Sequence, residues 1–285
     1  MNSVIIREPK IDEILECVKV FLLSFDRSDF SGIFDEEQAW IYLINQKIAK
    51  FLIAEKEDKI IGVGGVFLFQ QVASIGYMGV LADYRKRGIG TLLFRNLKES
   101  ATRFRRFKTI ILYASKLGQP IYEKFGFRGK YNASRHYLIK AKPEKQDEPN
   151  KVKIIKSTPN WVLILDRETM GFDRSDYLKA RITLGAKYLI LEDKGYALIS
   201  NVFSKIRLGP LIAKNSDTAL QIIKKGLKLG ADNLIIPYHP SLQNKMSRIT
   251  QFIEMKGAPN IKMVYGEEIK EKMDYLYSIG TYAKG

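Results

Sequence analysis

The stretch M78-G-V-L-A-D-Y-R-K-R-G-I-G-T91 joins a predicted β-strand to a predicted amphipathic helix through a basic turn that contains two glycines. The N-terminus of a helix offers free N–H groups and positive potential, which attract anions. Glycines let the backbone approach a phosphate without interference from a side chain. Arg85, Lys86 and Arg87 add three positive charges at the same turn. The stretch therefore predicts a cradle for a pyrophosphate group.

Two motifs in the first half of the chain resemble one enzyme family. Arg85-x-x-Gly88-x-Gly90 resembles the R/Q-x-x-G-x-G/A loop of GNAT-superfamily N-acetyltransferases, and the likeness extends over most of residues 3–140. The stretch A114-S-K-L-G-Q-P-I-Y-E-K-F-G-F127 is similar to the second signature of that family, and the two motifs have the right separation. The resemblance implies an α/β (α+β) fold with a mixed central sheet flanked by helices. It also implies an acetyl-CoA-dependent N-acetyltransferase.

The same resemblance implies roles for individual residues. The strand end pairs with the pantetheine arm of acetyl-CoA, the acyl-donor substrate, and the loop amides hold the pyrophosphate. Tyr122 donates a proton to the departing thiolate, or alternatively only packs over the cofactor, and a backbone N–H near Val80 polarises the thioester carbonyl. The residues implied in cofactor binding are Met78, Gly79, Val80, Arg85, Lys86, Arg87, Gly88, Ile89, Gly90, Thr91 and Ser115.

A general base is missing from the expected place. Many family members carry a carboxylate early on the fourth strand, where this chain has Ser74, Ile75 and Gly76. Either water relays the proton or the amine arrives neutral, and no base is assigned. The acceptor is predicted to be a primary amine of a small metabolite or a protein.

The pentapeptide Phe-Asp-Arg-Ser-Asp occurs twice, at residues 25–29 and 172–176, and similar predicted strands and helices surround both copies. We therefore predict two tandem GNAT folds: an acetyl-CoA-binding domain at 1–140, a charged, proline-containing linker at 141–151, and a second GNAT-like domain at 152–285. Two interpretations of the pentapeptide stay open. Its Asp and Ser cap the next helix while its Phe packs in the core, or Arg27 and the acids contact substrate.

The second copy is expected to be damaged as a cofactor site. When residues 209–213 are aligned with 79–83, the five residues 214–218 must replace the nine of 83–91, and counterparts of the two glycines and of Arg85, Lys86 and Arg87 are lost. Matching Gly257 with Gly126 puts Ile253 at the position of Tyr122. The second half resembles the degenerate C-terminal domain of some tandem acetyltransferases and is not predicted to bind CoA in the usual way. Shaping the substrate pocket, forming a homodimer and bracing the first domain stay open as its roles.

The predicted end of each half is less regular. The first half is expected to close with a pair of strands near Phe127 and residues 136–139. The second is expected to close with a helix over residues 242–255 and a strand near residues 275–282. Both expectations rest on apolar patterns alone.

A net charge of +16 predicts attraction to anions and favours an acidic acceptor. It leaves two alternatives: a CoA- or RNA-binding regulatory module without turnover, and a Fem-like aminoacyl-tRNA-dependent transferase, which also pairs two GNAT-like domains. The intact loop at 85–90 argues against both, so a nucleic-acid partner is not favoured.

Other classes of protein fit the sequence poorly. No apolar run approaches the roughly 18 residues of a membrane span, and no signal-type block forms at the N-terminus, so we expect a cytoplasmic protein without a membrane partner. The single cysteine, Cys17, cannot form an intramolecular disulfide. His136 and His239 lack ligand partners at useful spacing, so no metal site is predicted.

Overall fold

The structure, a computed structural model, describes residues 4–103, 107–141, 151–254 and 259–282. Residues 142–150 of the predicted linker lie outside the described residues. So does Gly257, which the sequence alignment matched with Gly126. The first half contains β1 (Ile5–Arg7), α1 (Ile14–Leu23), α2 (Ile33–Asn45), β2 (Ala49–Lys56), β3 (Lys59–Leu68), β4 (Val72–Val80), α3 (Ile89–Thr102), β5 (Thr109–Ala114), α4 (Gln119–Lys124) and β6 (Arg128–Ala141).

The second half repeats this order. It contains β7 (Lys153–Ile155), α5 (Asn160–Met170), α6 (Ser175–Thr183), β8 (Lys187–Leu191), β9 (Gly195–Val202), β10 (Lys205–Ala213), α7 (Ser216–Lys228), β11 (Asn233–Pro237), α8 (Pro240–Ile249), β12 (Thr250–Glu254), β13 (Asn260–Gly266) and β14 (Leu276–Ser278). Strand and helix periodicities agree with these assignments: β3 is buried along most of its length, whereas α3 buries only one side through Leu93, Leu97 and Ala101.

All fourteen described strands belong to one mixed sheet. Its main path runs β1-β2-β3-β4-β5-β13-β6-β11-β10-β9-β8-β7, while β12 pairs with β6 and β14 pairs with β10. Helices α1 and α2 pack on the first half of the sheet, and a large apolar core that includes Trp40, Phe51 and Tyr188 continues across both halves. The mixed sheet and its flanking helices confirm the predicted fold class.

The two halves exchange strands where they meet. Strand β13 of the second half lies between β5 and β6 of the first half and is antiparallel to both. In return, the last part of β6 lies between β11 and β12 of the second half. We call this arrangement the strand exchange. Each half therefore completes its sheet with a strand from the other half.

The strand exchange corrects the predicted ends of both halves. The two closing strands expected near Phe127 and residues 136–139 form the single strand β6 of 14 residues. The helix expected over residues 242–255 ends at Ile249, and β12 follows it at once. Strand β13 was not predicted. Among the described residues, no helix combines the length and apolar character that crossing a bilayer requires.

Candidate functional site

A gap opens between β4 and β5 toward the C-terminal ends of these two strands. The two strands pair in parallel from Val72 with Thr109 to Ile75 with Leu112. Beyond that point the pairing stops, the register of β4 with β3 shifts, and Tyr77 takes a left-handed backbone conformation with φ of 55°. We call the resulting gap the wedge. It is bounded by residues 76–80 on one side and 112–115 on the other.

The backbone of Val80 points into the wedge. Leu81 N–H donates to the Ile61 carbonyl at 3.0 Å, so these two residues form a hydrogen-bonded pair of the antiparallel ladder. Because such pairs alternate with non-bonded ones, Val80, opposite Gly62, directs its N–H and carbonyl away from β3. An extended ligand in the wedge could therefore pair with Val80 as an additional strand would.

The turn after β4 leads into an uncapped helix. Gly88 is the N-cap of α3 with φ of 80°, no side chain caps the helix, and its first turn contains no acidic residue. The first N–H groups of a helix have no acceptor within the helix itself. Lys86 and Arg87 are exposed beside them. An anion at the start of α3 could therefore bind several N–H donors and two cationic side chains.

Arg85 shapes the turn from within. Its Nε donates to the Val80 carbonyl at 3.1 Å, and its Nη2 donates to the Ser24 carbonyl at 2.6 Å. Ser24 also lies so close to β4 that a Cβ atom on Gly79 would overlap its Oγ. The structure thus places the predicted cofactor residue Arg85 against backbone carbonyls, where it ties α1 to the end of β4.

Tyr122 lies on α4 at the other side of the wedge. Its side chain is 8 % exposed and its ring packs edge-on against Phe94, with centroids 4.7 Å apart. Burial raises the pKa of Tyr122 to about 12. Among the described residues, no group hydrogen-bonds its hydroxyl, which borders a cavity. Ser115 also borders this cavity, and its Oγ accepts from Gly118 N–H at 3.3 Å at the start of α4.

A cavity of about 720 Å³ continues from the wedge to the second half. The first half contributes Gly76, Tyr77, Met78, Tyr113, Ser115 and Tyr122, together with Arg27 after α1 and Ser134 and Arg135 on β6. The second half contributes Phe203, Lys205, Arg207, Asn233, Asn260, Thr281 and Tyr282. The turn at residues 85–91 lies outside the cavity lining, so the uncapped start of α3 and the cavity are separate features of the site.

Comparisons with known proteins agree with this geometry. Two models of the acetyltransferase (GNAT) domain match residues 47–129 and 162–278. A crystal structure from Pyrococcus horikoshii, described as that of a candidate acetyltransferase, is 31 % identical, with a TM-score of 0.88 over 100 % of this chain and 97 % of that one. The chain belongs to the GNAT acetyltransferase family.

Two further relatives of this GNAT protein are similar to it over most of its length. Uncharacterized N-acetyltransferase YitH of Bacillus subtilis is 27 % identical over 235 residues, which cover 79 % of this chain and 81 % of that protein. A GCN5-related N-acetyltransferase from Kribbella flavida shares the fold at 15 % identity, with a TM-score of 0.58 over 92 % of this chain and 71 % of that one. The predicted family, its tandem form and the acyltransferase class of enzyme are therefore confirmed.

In the described part of the second half, the chain itself fills the gap that corresponds to the wedge. Strand β14 pairs with β10 at Leu211 and Ile212, beyond the parallel pairing of β10 with β11 at Arg207 and Asn233, and Ile279 N–H donates to the Ile235 carbonyl of β11 at 3.1 Å. Helix α7 starts after a connection of two residues, and the Asn215 side chain accepts from Thr218 N–H at 2.9 Å. The chain itself therefore occupies both the gap and part of the helix N-terminus.

Ile253 is not the counterpart of Tyr122 that the sequence alignment predicted, because it lies on strand β12 and not on a helix. Its side chain is 60 % exposed. The helix that follows β11 as α4 follows β5 is α8, and α8 contains no tyrosine. Among the described residues, no group of His, Cys, Asp and Glu is arranged to hold a metal ion.

The two copies of the pentapeptide have different environments in the GNAT protein. Phe172 is 5 % exposed, and Arg174 forms a buried ion pair with Asp166 at 2.8 Å, so the second copy serves the core. Phe25 is 51 % exposed, and α2 begins at Ile33 after the N-cap Gly32, so the first copy neither caps that helix nor packs as expected. Arg27 borders the cavity instead, and substrate contact through it stays a prediction.

Sequence reasoning considered Tyr282 as a residue of a ligand cleft, and it borders the cavity, but it missed Arg207 and Asn233. These two residues carry no local motif, and they reach the cavity because β11 pairs with β6 and β10 pairs with β11. The repeat of the pentapeptide gave one usable signal. A repeat marks two units of the same fold, although it does not show how those units meet.

Proposed function

We propose that this protein transfers the acetyl group of acetyl-CoA to a primary amine, and that only its first half binds the acyl donor. The observation that supports this proposal most directly is a difference between the two halves at the gap in the sheet and at the following helix. The wedge and the N-terminus of α3 are open, whereas β14 and Asn215 occupy their counterparts. An extended pantetheine arm and a diphosphate require the open arrangement.

Each part of the donor has a matching group in the first half. The backbone of Val80 and the neighbouring Met78 would align the pantetheine arm along β4. The N–H groups of residues 88–91, with Lys86 and Arg87, would bind the diphosphate by charge-assisted hydrogen bonds. Arg85 would hold the turn in shape through its two bonds to carbonyls. This assigns Arg85 a positioning role and the other two basic residues direct contacts.

Acyl transfer then requires three events: attack of a neutral amine on the thioester carbon, stabilisation of the developing oxyanion, and protonation of the departing thiolate. The Val80 N–H, which points into the wedge, would stabilise the oxyanion. Tyr122 would give its proton to the sulfur as the C–S bond breaks, and the proton that the attacking nitrogen releases would return to Tyr122 through water. Because burial raises the pKa of Tyr122 to about 12, its hydroxyl stays protonated at neutral pH.

The cavity supplies the neutral amine without a general base. Among the described residues that line it, none is Asp, Glu or His, whereas Arg27, Arg135, Lys205 and Arg207 are cationic. Nearby positive charge disfavours the ammonium form of a bound amine and lowers its pKa. The acceptor would lose its proton to water on entering the cavity and react as the free amine.

Calorimetry with acetyl-CoA tests the donor site. Gly88→Glu puts a carboxylate on the uncapped turn and should weaken acetyl-CoA binding by at least tenfold, because the carboxylate repels the diphosphate. Gly185→Glu is the matched control: Gly185 also has a positive φ and open space around its Cα, but it lies in the second half. It should bind one acetyl-CoA as the native protein does.

Three results would overturn the proposal: a native protein that does not bind acetyl-CoA, one that binds two molecules, or equal losses in the two variants. RNA binding that disappears steeply with added salt, in a protein indifferent to acetyl-CoA, would instead favour the RNA-associated alternative.

A further inference from the structure

We propose that the acceptor amine carries an anionic group, a carboxylate or a phosphate, which Arg207 and Arg135 bind at the wall of the cavity formed with the second half. This inference rests on the proposed function, because it assigns the acceptor end of the same chamber. The anion would anchor the molecule at β10 and β6, and the amine at its other end would face Met78 and Tyr122 across the cavity.

Arg207 is a buried cation without a carboxylate partner. Its residue is 6 % exposed, and Nε donates to Asn233 Oδ1 at 3.0 Å. Among the described residues it forms no ion pair, and its two terminal nitrogens have no hydrogen-bond acceptor. Glu36, the nearby acid, accepts hydrogen bonds from Trp40 and Tyr77 and does not pair with Arg207. Two N–H edges of the guanidinium are thus available to a ligand in the cavity.

Burial of the Arg207 charge is unfavourable when no anion is bound. Loss of hydration, and then repulsion from Arg135, lower the pKa of Arg207 to about 9. An anion between the two guanidinium groups would relieve both effects, since it replaces lost hydration and offsets the repulsion. Arg207 remains cationic at neutral pH and is therefore able to bind an anion there.

The same fold neutralises a buried arginine where its role is structural. Arg174 is fully buried, but its guanidinium forms hydrogen bonds of 2.8–3.3 Å with both oxygens of Asp166. Buried arginines generally need such a partner, because an uncompensated buried charge is strongly destabilising. Arg207 departs from that pattern at the wall of a cavity, which favours a ligand as its missing partner.

Neighbouring cations reinforce the site. Arg27 lies 4.9 Å from the ring centroid of Phe203, and Arg135 lies 5.6 Å from that of Tyr282. A guanidinium that stacks on an aromatic ring can hydrogen-bond a carboxylate or phosphate through its edge. Lys205 adds a fourth positive charge to the lining. A planar or tetrahedral anion can form two parallel hydrogen bonds with such groups.

Matched pairs of acceptors test the proposal. β-Alanine is compared with propylamine, and O-phosphoethanolamine with ethanolamine, at equal concentrations of free amine and saturating acetyl-CoA. The anionic member of each pair should have a kcat/KM about 10- to 100-fold higher, the range of a charge-assisted hydrogen bond. The N-acetylated products of the same pairs are also titrated into the CoA-loaded protein, which gives a binding readout that needs no turnover.

Variants identify the anchoring residue. Arg207→Gln should bring the ratio of kcat/KM for the anionic member over the neutral member close to one, whatever its effect on the neutral amine. Arg27→Gln, at a partly exposed position where folding is not at risk, should reduce the preference by a smaller factor. Lys153→Gln removes the same charge from the exposed pair with Glu192, far from the cavity lining, and should leave the preference intact.

The inference is tested first by whether the native protein prefers anionic to neutral amines. Equal binding of charged and neutral products, or a preference that survives in Arg207→Gln, would overturn the inference. Acetyl-CoA binding is measured on the same samples. Intact acetyl-CoA binding with no preference for anions refutes the acceptor assignment alone, whereas loss of acetyl-CoA binding in the native protein refutes the proposed function itself.

Discussion

Arg27 and Arg174 occupy the same place in two copies of one pentapeptide, yet one borders a cavity and the other serves the core. Without gaps, the alignment of the two copies puts Lys19 where the second half has Asp166. Arg174 pairs with that aspartate inside the core. The first half has a lysine at the corresponding sequence position, so Arg27 lacks the carboxylate that pairs with Arg174. Its guanidinium lies against the ring of Phe203 instead.

At Tyr122 we predict a catalytic contribution that a phenylalanine cannot replace. Tyr122→Phe keeps the ring that packs on Phe94 and removes only the proton donor. We expect kcat to fall by about 100-fold, a typical effect of a general acid, while KM for acetyl-CoA changes less than threefold. Steady-state kinetics and thermal unfolding of the two proteins provide the measurement and its folding control. Equal kcat values would leave Tyr122 with a packing role only.

The pH profile provides a second readout of the same residue. Because the pKa of Tyr122 is raised to about 12, the donor stays protonated across the whole practical range. The native rate should therefore rise with pH as the bound amine loses its proton, and it should not decline below about pH 10. A decline near neutral pH would show that the proton donor is another group.

At the scale of secondary-structure elements, two short connections distinguish the halves at the proposed donor site. The turn from β4 to α3 ends in Gly88, which has no side chain to cap the helix, whereas the connection from β10 to α7 ends in Asn215, whose side chain does. The sequence predicted the shorter connection and its lack of glycines, but not the cap at Asn215. The filling of the second gap by β14 was not predictable in the same way, because it depends on a segment about 65 residues further along the chain.

Arg85 is predicted to hold the turn between β4 and α3 in its binding conformation. Arg85→Met removes two hydrogen bonds that fix the turn to β4 and α1, so the N–H groups of the turn should lose their alignment. We expect acetyl-CoA to bind about tenfold more weakly by calorimetry. Arg103→Met removes an equal charge from the opposite end of α3 and should change the affinity less than twofold. Equal losses would mean that Arg85 acts only through its charge.

At the scale of the whole molecule, the strand exchange is the feature that the sequence did not predict. Alternation along β6 indicates which side chains are buried, but it does not name the neighbouring strand. Strand β13 was missed because Lys262 interrupts its apolar pattern. That lysine is buried and pairs with Glu271 at 2.7 Å, so the interruption is satisfied by a contact that only the folded chain reveals. Most of the other elements, the family and the fold class were predicted because local pattern and local motifs suffice for them.

The strand exchange predicts that the two halves unfold together. Each half contains one tryptophan, Trp40 on α2 and Trp161 on α5. In Trp161→Phe the fluorescence reports the first half, and in Trp40→Phe it reports the second. Within each variant, urea midpoints from fluorescence and from far-UV circular dichroism should coincide, because a single cooperative unit gives one transition with every probe. Separate midpoints would show that the halves are independently stable.

Strand β13 also has a consequence for how such a gene can change. The second half encodes the strand that lies between β5 and β6 of the first half. A mutation that abolished coenzyme binding in either half would leave that strand in place, whereas deletion of the second half would remove it. We therefore expect the two coding regions to be inherited as a pair, whichever of them encodes the donor site.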